Sequence, residues 1–351
     1  IFILECIHML SKEKDKEICD LLMGWHKLET TLAGGAAVVD FNLLEYEGGR
    51  DYSSRYEVLN HIKALLNDQE IQKDVHSYAR LKAQDAFLRN LMGEHWDFKR
   101  YIESTLGFTP HLFSKEEIEV EKARLIRQLN EFDIAFDVQT EKNLNDADVI
   151  LSPEEAQKLF LDIYARNRPL IEEIVGKIDD FRVNVEMVYE DSYWKNWVDG
   201  GGLNYRLRFN TKNYKEFPRS VCICLAFHEM LTHFVNAMCW RQVMINEQMP
   251  QHFGMTTVHG PESFLMEGMA QTLSQFIDSA DVKCSIVMLR EQMSLYRFLI
   301  DNNAQIMLNE GSSIEECVNY IIEYLPYKNA EEEAQLREHE EREQRERLRQ
   351  R

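Results

Sequence analysis

Three ionisable residues interrupt a long apolar segment of the sequence. Residues 221–247 are mainly apolar, and His228, Glu229 and His233 lie among them as HEMLTH. An unpaired charge is costly to bury, so ionisable groups in a buried helix are paired, hydrogen-bonded or bound to a metal. Two histidines with a glutamate beside the first are typical of a zinc site in which the imidazoles bind the metal and the carboxylate acts as general base.

The spacing of the two histidines exceeds that of the usual HExxH pattern by one residue. His228 and His233 are five residues apart, which on a regular α-helix separates them by about 140°. A single π-helical turn accommodates one extra residue and is often found at functional sites. We therefore expect a π-bulge here, because it would return both imidazoles to one face of the helix.

A candidate third ligand follows downstream. Zinc sites with two histidines on one helix commonly take a third protein ligand from another element and leave the fourth position to water. Residues 261–271, PESFLMEGMAQ, contain Glu262 and Glu267. Glu267 is the preferred ligand, and Glu262 is either the alternative ligand or a partner that orients an imidazole.

These motifs resemble those of zinc metallopeptidases. HEMLTH is an HExxxH motif like the HELLGH of the dipeptidyl peptidase III type, and MEGMA is similar to the EGxA setting of the third ligand in gluzincins. Over residues 200–326 the chain resembles a helical gluzincin-like family with the motifs HExxPGHH, EGWAxYxE and RxxxDxGxH, the last of which is matched by Arg297 and Asp301. The sequence departs from these motifs by having LTHF in place of PGHH, and at Met269, Thr272, Ser274 and Gln305.

The resemblance implies a mononuclear zinc peptidase that acts on short peptides. Its metal ligands would be His228, His233 and Glu267, and Glu229 would be the general base. Candidates for the donor that stabilises the oxyanion are Tyr205, His252 and His259. The candidate substrate-binding residues are Arg206, Arg208 and Arg297.

Other interpretations stay open at this point. The Pro-Gly-Gln-Ala segment that closes members of the resembled family is absent here, which favours a binding or scaffold protein that has the fold but not the catalysis. A di-iron carboxylate bundle would need Glu-x-x-His pairs on two helices, whereas Glu229 and His233 are four residues apart. The HEMLTH segment could also be a coincidence within a buried helix.

Helical periodicity predicts a mainly α fold with a large bundle-like body. Two runs that alternate with period two, FRVNVEMVY from residue 181 and LNYRLRF from residue 203, predict a small two-stranded β insert directly before the metal-site helix. The glycine-rich DSYWKNWVDGGG between them is predicted to be a loop. A free strand edge could hold an extended peptide, which is why the side chains of Tyr205, Arg206 and Arg208 are candidates.

The sequence predicts the starts of two helices and a division of the chain into three regions. Ser114 with Glu117 and Ser152 with Glu155 have the spacing of capping boxes. Residues 36–52 fit either a short strand or a loop. The predicted regions are 1–180 (N-terminal helices), 181–329 (catalytic region) and 330–351 (charged helix or tail).

Composition narrows the choice of partners. The formal net charge of -20 over 351 residues disfavours nucleic acid and acidic lipid surfaces. No stretch of eighteen wholly apolar residues occurs, so no transmembrane helix is predicted. The seven cysteines lack CxxC spacing and fit reduced thiols. We therefore expect a cytoplasmic protein with a peptide substrate and no membrane or nucleic-acid partner.

Overall fold

Helices make up most of the protein, as the sequence predicts. The computed structural model describes residues 10–32, 35–191, 194–330 and 333–334, so most of the predicted C-terminal tail lies outside the described residues. The α-helices are α1 (Lys12–Thr31), α2 (Arg55–Leu66), α3 (Gln69–Lys73), α4 (Val75–Leu91), α5 (Phe98–Leu106), α6 (Lys115–Asn130), α7 (Thr140–Asp146), α8 (Pro153–Val175), α9 (Arg219–Leu225), α10 (Val235–Ile245), α11 (Pro261–Thr272), α12 (Ser285–Asn309) and α13 (Ile314–Tyr324). A π-helix, Ala226–Phe234, joins α9 to α10, and we call the continuous segment 219–245 the central helix.

Side-chain caps define the starts of several helices. Ser114 and Glu117 form the predicted capping box at the start of α6, and Ser152 and Glu155 form the one at the start of α8. Ser313 begins α13 in the same way. Each box satisfies backbone N–H groups that the first helical turn leaves without partners. The local sequence is therefore sufficient to set these helix starts.

The β structure is larger than the sequence predicts. The strands are β1 (Val39–Asn42), β2 (Ile150–Leu151), β3 (Arg182–Val188), β4 (Asn196–Gly201), β5 (Asn204–Asn210), β6 (Phe217–Pro218) and β7 (Met255–Thr257). Five of them form one sheet in the order β3-β5-β4-β1-β7, and β2 pairs with β6. The two period-two runs are confirmed as β3 and β5, which pair in parallel. The prediction of a two-stranded insert is wrong, because β4, β1 and β7 extend the sheet.

Glycines explain why β4 looks like a loop in the sequence. Gly202, with φ of +55°, lies in the two-residue turn that connects β4 to β5, and such a backbone conformation favours glycine. Gly201 pairs with Asn42 of β1, and a Cβ atom at Gly201 would lie 2.7 Å from the Asn42 carbonyl oxygen. The glycines therefore allow close approach of two strands and a tight turn.

Three clusters of buried apolar side chains stabilise the fold. The largest surrounds the central helix and includes Phe160 of α8, Phe209 of β5 and Phe234 of the π-helix. A second cluster lies among the N-terminal helices around Trp25, and a third joins α6 to α12 and α13. All three clusters contain residues from both the predicted N-terminal and the predicted catalytic region, the second through Met255. The boundary at residue 180 stays a prediction.

The central helix bears on the expectation of no transmembrane helix. By length and composition alone, its 27 residues are sufficient to cross a membrane, with a mean hydropathy of 1.4 over the best window. That window is 72% buried inside the protein. A core helix surrounded by other elements has the same composition, since its apolar side chains pack on all sides.

We expect Gly201→Ala to destabilise the protein by about 1–3 kcal/mol, because the added methyl group would meet the backbone of β1. The matched control is Gly268→Ala in α11, where a Cβ atom meets nothing within 4 Å; it should be neutral or stabilise by up to about 1 kcal/mol. Urea unfolding of both variants measures the difference. Equal stability of the two variants would contradict the pairing of β1 with β4.

Candidate metal centre

The predicted π-turn is present and brings the two histidines together. The π-helix spans Ala226–Phe234, and the Thr232 hydroxyl donates a hydrogen bond of 2.8 Å to the carbonyl of Phe227, five residues earlier. In a π-helix, residues five apart share one face. The Nε2 atoms of His228 and His233 are consequently 3.3 Å apart.

Glu267 of α11 completes a triangle with the two imidazoles. Its Oε2 atom lies 3.6 Å from His228 Nε2, and its Oε1 atom lies 3.3 Å from His233 Nε2. Ligands held about 2.0–2.1 Å from zinc in a tetrahedron are about 3.3–3.4 Å from one another. The two contacts of Glu267 use different oxygen atoms, so these distances do not outline one face of a tetrahedron, but each of them, at 3.3, 3.3 and 3.6 Å, is close to the spacing between two zinc ligands.

The charges at this triangle suit a cation. Burial, and secondarily repulsion by His233, lowers the pKa of His228 to about 4, which keeps its imidazole neutral. Burial opposes a charge on His233, but its hydrogen bond to Glu267 and the nearby carboxylates raise its pKa above the usual value. Burial likewise opposes the charge of Glu267, and the interaction with His233 outweighs it and lowers the pKa. His228 and Glu267 are therefore in the forms that bind metals, and a metal at His233 would replace the proton that the neighbouring carboxylates favour there.

Two contacts hold the ligands in position. The side chain of His228 forms a hydrogen bond with the backbone of Ala270, which belongs to the same helix as Glu267. Metal-binding histidines generally use their second ring nitrogen in this way, which fixes the orientation of the ring. The π-helix packs on both α8 and α11. Helix α11 thus supplies one candidate ligand and orients another.

Glu229 lies close to His228 and His233. Each of these three residues offers one atom that could bind a metal, and the three atoms lie within 4.8 Å of one another. Only 7% of the surface of Glu229 is exposed, and Asn196 donates a hydrogen bond of 3.0 Å to its Oε1 atom. Burial raises the pKa of Glu229 to about 7. A carboxylate with a pKa near neutrality is suited to accepting and returning a proton.

A cavity of about 530 Å³ opens onto these side chains. Elements from distant parts of the sequence contribute to its wall, namely β1, α5, β4, the π-helix, β7 and α11. The lining residues are Asp40, Phe41, Leu106, Phe108, Asn196, Trp197, Val198, His228, Glu229, His233, Thr256, Thr257, Val258, Ser263, Phe264, Met266 and Glu267. The size is within the range of small-molecule sites, about 300–1,000 Å³.

The candidates for the oxyanion donor lie elsewhere. Tyr205 is 0% exposed in the central core, and its hydroxyl donates to the carbonyl of Gly202. His252 is also 0% exposed, and its ring contacts Asp15 and Ser77. The ring of His259 packs edge-on against Phe87 at 4.1 Å between centroids. None of these three candidates is among the described residues that line the cavity.

The candidate substrate-binding arginines are also outside the cavity. Arg206 and Arg208 lie on the other face of β5 from Tyr205, and both bind Asp199 of the neighbouring strand, at 2.8 and 2.7 Å. Arg297 of α12 lies 3.6 Å from Asp301. The two β5 arginines therefore serve as cross-strand ion pairs at the sheet surface.

Glu262 is not brought to the imidazoles. Its Oε1 atom lies 3.6 Å from the guanidinium of Arg80, which is 1% exposed in α4. Arg80 also donates hydrogen bonds to the carbonyl groups of His252 and Met255. This contact attaches the first turn of α11 to the N-terminal helices, so Glu262 positions the helix that carries Glu267.

The sequence analysis missed most of the cavity lining, including two polar residues that bear on the chemistry of the site. Asn196 and Asp40 lie on β4 and β1, which the sequence analysis assigned to a loop and left undecided. The sequence NWVDGG of β4 does not alternate apolar and polar residues, and all six are partly exposed, so β4 gives no period-two signal. Residue Asp40 had no such signal either, since β1 is only four residues long.

Comparisons with known proteins leave the family open. No family model matches the chain, and no curated protein matches it. A solved structure described as a putative lipoprotein from Colwellia psychrerythraea is similar over 84% of this chain, with 11% sequence identity and a TM-score of 0.49. The chain spans 60% of the length of that protein. A similarity this distant carries no argument about function.

We expect the protein to bind one zinc ion per chain, and His228→Ala, His233→Ala or Glu267→Ala to weaken that binding by about 100-fold or more, because each removes one corner of the triangle. Equilibrium dialysis followed by mass spectrometry of the metal measures the affinity. His76→Ala, at an exposed position of α4, is the control and should retain the metal. Equal zinc binding in the ligand variants and the control would contradict this site.

Proposed function

We propose that the protein is a zinc-dependent peptidase that hydrolyses short peptides. The observation that carries this proposal is the convergence of the His228, His233 and Glu267 side chains, whose nearest nitrogen and oxygen atoms are 3.3–3.6 Å apart, close to the spacing of ligands in a tetrahedral zinc site. Two imidazole nitrogens and one carboxylate oxygen are a donor set that zinc accepts well. Bound zinc supplies two effects, lowering the pKa of a coordinated water to about 7 and polarising a substrate carbonyl.

The side chains around the triangle have the properties that peptide hydrolysis needs. Glu229 lies beside the two histidines, is nearly buried and has its pKa raised to about 7. It can therefore take a proton from the attacking water and return it to the leaving amine. Asn196 binds one of the two carboxylate oxygens and leaves the other for this transfer.

The cavity supports a short peptide as the substrate. Its volume of about 530 Å³ is small for a folded protein chain but suits a few residues. Most of its wall is apolar, with Leu106, Phe108, Val258, Phe264 and Met266 on one part of the lining. Apolar walls exclude water from the reacting groups and strengthen the electrostatic interactions between them.

Replacing Glu229 by Gln keeps the shape of the side chain but removes the base. We expect Glu229→Gln to lower the rate of peptide hydrolysis by at least about 100-fold with zinc binding retained. Mass spectrometry of a mixture of short peptides after incubation measures the rate, and metal analysis of the same samples is the control.

Each result of that experiment has a definite meaning. Hydrolysis by the parent chain that is lost in the variant supports the peptidase. Full activity in the variant would contradict the role of Glu229. Zinc binding by the parent chain without hydrolysis of any peptide in the mixture would favour the alternative function, a binding or scaffold protein with a metallopeptidase-like site.

Asn196 offers a second test, because it holds the base without binding the metal. We expect Asn196→Ala to lower kcat by about 10–100-fold, since a small displacement of Glu229 misaligns the proton transfer. KM and the zinc content should change little. Asn184→Ala on β3 is the matched control and should have the activity of the parent chain. Unchanged kcat in Asn196→Ala would show that this hydrogen bond does not position the base.

A further inference from the structure

Asp40 lines the same cavity and belongs to an N-terminal strand, far in sequence from Glu229 and Glu267. It lies in β1, between Val39 and Phe41. The pairing of β1 with β7 shifts at this point, because Val39 is opposite Thr257 and Phe41 is opposite the next residue, Thr256. One strand therefore has an extra residue, Asp40, and the pairing has a β-bulge there. Bulges re-aim side chains next to active sites, and both Asp40 and Phe41 line the cavity.

The Asp40 carboxylate has no partner of its own. In the part of the chain that the structure describes, it forms no hydrogen bond and no ion pair. The described residues that line the cavity include no Lys and no Arg. Burial raises the pKa of Asp40 to about 6, so the carboxylate is mostly ionised at neutral pH, with no Lys or Arg in the described lining to compensate its charge. Partly buried carboxylates are usually paired, and one that is not paired is a candidate for binding a ligand.

The charges in the cavity indicate that such a ligand would be a cation. A divalent metal at the triangle would balance the two carboxylates of Glu267 and Glu229. The charge of Asp40 would then have no counterion within the lining. The aromatic residues Phe41, Phe108 and Trp197 belong to the same wall, and aromatic rings favour organic cations. The net charge of -20 also attracts cations toward the protein.

We propose that Asp40 is a specificity residue that binds a cationic group of the substrate, so that the preferred peptides have an ammonium or guanidinium group close to the cleaved bond. The shared chemistry is a nitrogen cation that donates hydrogen bonds to a carboxylate. It could come from the free amino terminus of the peptide or from a Lys or Arg side chain. That the ligand is a peptide rests on the proposed peptidase function. Binding of a cation at Asp40 can be tested whether or not the protein is a peptidase.

The test uses four small ligands that separate the two sources of charge. Arginine amide carries both cations, acetyl-arginine amide carries only the guanidinium, norleucine amide carries only the ammonium, and acetyl-norleucine amide carries neither. Their binding is measured by isothermal titration calorimetry at about pH 7, where Asp40 is mostly ionised and the α-amino groups of the ligands are mostly protonated. All measurements use the zinc-loaded full-length chain with Glu229→Gln, which prevents hydrolysis and removes a second carboxylate that could bind the cation.

The variant to compare is Asp40→Asn, and Asp51→Asn is its matched control. Asp51 is exposed and is not among the described residues of the cavity wall, so its replacement changes the net charge equally without changing the wall. We expect Asp40→Asn to weaken binding of at least one singly cationic ligand by about tenfold or more, which corresponds to about 1.4 kcal/mol. Binding of acetyl-norleucine amide should not change, and Asp51→Asn should behave as the parent.

The pattern over the four ligands decides the outcome. Loss confined to norleucine amide and arginine amide identifies the amino terminus as the source, and loss confined to the two arginine ligands identifies a basic side chain. Equal affinities in Asp40→Asn and its control, or no binding of any cationic ligand, would overturn the proposal. If the parent chain hydrolyses no peptide but binds these cations through Asp40, the peptidase function fails and the cation subsite stands.

Discussion

The candidate site depends on one irregular turn of helix. In a regular α-helix, His228 and His233 would diverge by about 140°, and no single ion could contact both. The nine-residue π-helix removes that divergence and leaves their Nε2 atoms 3.3 Å apart. A π-turn has poorer hydrogen-bond geometry than an α-turn and survives where its surroundings stabilise it. Here the surroundings are the largest apolar cluster of the protein, which includes Phe227, Met230, Leu231 and Phe234.

The polar side chains of the π-helix have hydrogen-bonding or charged partners. Thr232 binds the carbonyl of Phe227, Asn196 binds Glu229, and Glu267 lies beside His233. Each partner comes from a different element, namely the turn itself, β4 and α11. A buried charge without a partner would cost several kcal/mol. Because these partners lie on the sheet and on α11, both elements stabilise the π-helix together with the apolar core. The N-terminal helices take part through Arg80, which anchors the start of α11 by its contact with Glu262.

The local parts of this arrangement could be predicted from the sequence, and the distant parts could not. The five-residue spacing of the histidines predicted the π-turn, and Ser–Glu pairs predicted helix starts. The sheet was underestimated because β1 and β7 have four and three residues, too few for a recognisable alternation. The sequence analysis makes Tyr205 a candidate site residue, although Leu207 and Phe209 on the same side of β5 continue an apolar face. In the structure all three lie in the core at 0% exposure.

X-ray absorption spectroscopy of the zinc-loaded protein tests the central claim most directly, because it reports which atoms surround the metal. The account predicts a four-coordinate zinc with two imidazole nitrogens and one carboxylate oxygen at about 2.0–2.2 Å and a fourth, light ligand such as water. A spectrum with sulfur ligands at about 2.3 Å, or with one imidazole or none, would contradict it. Absence of bound zinc after loading would do the same.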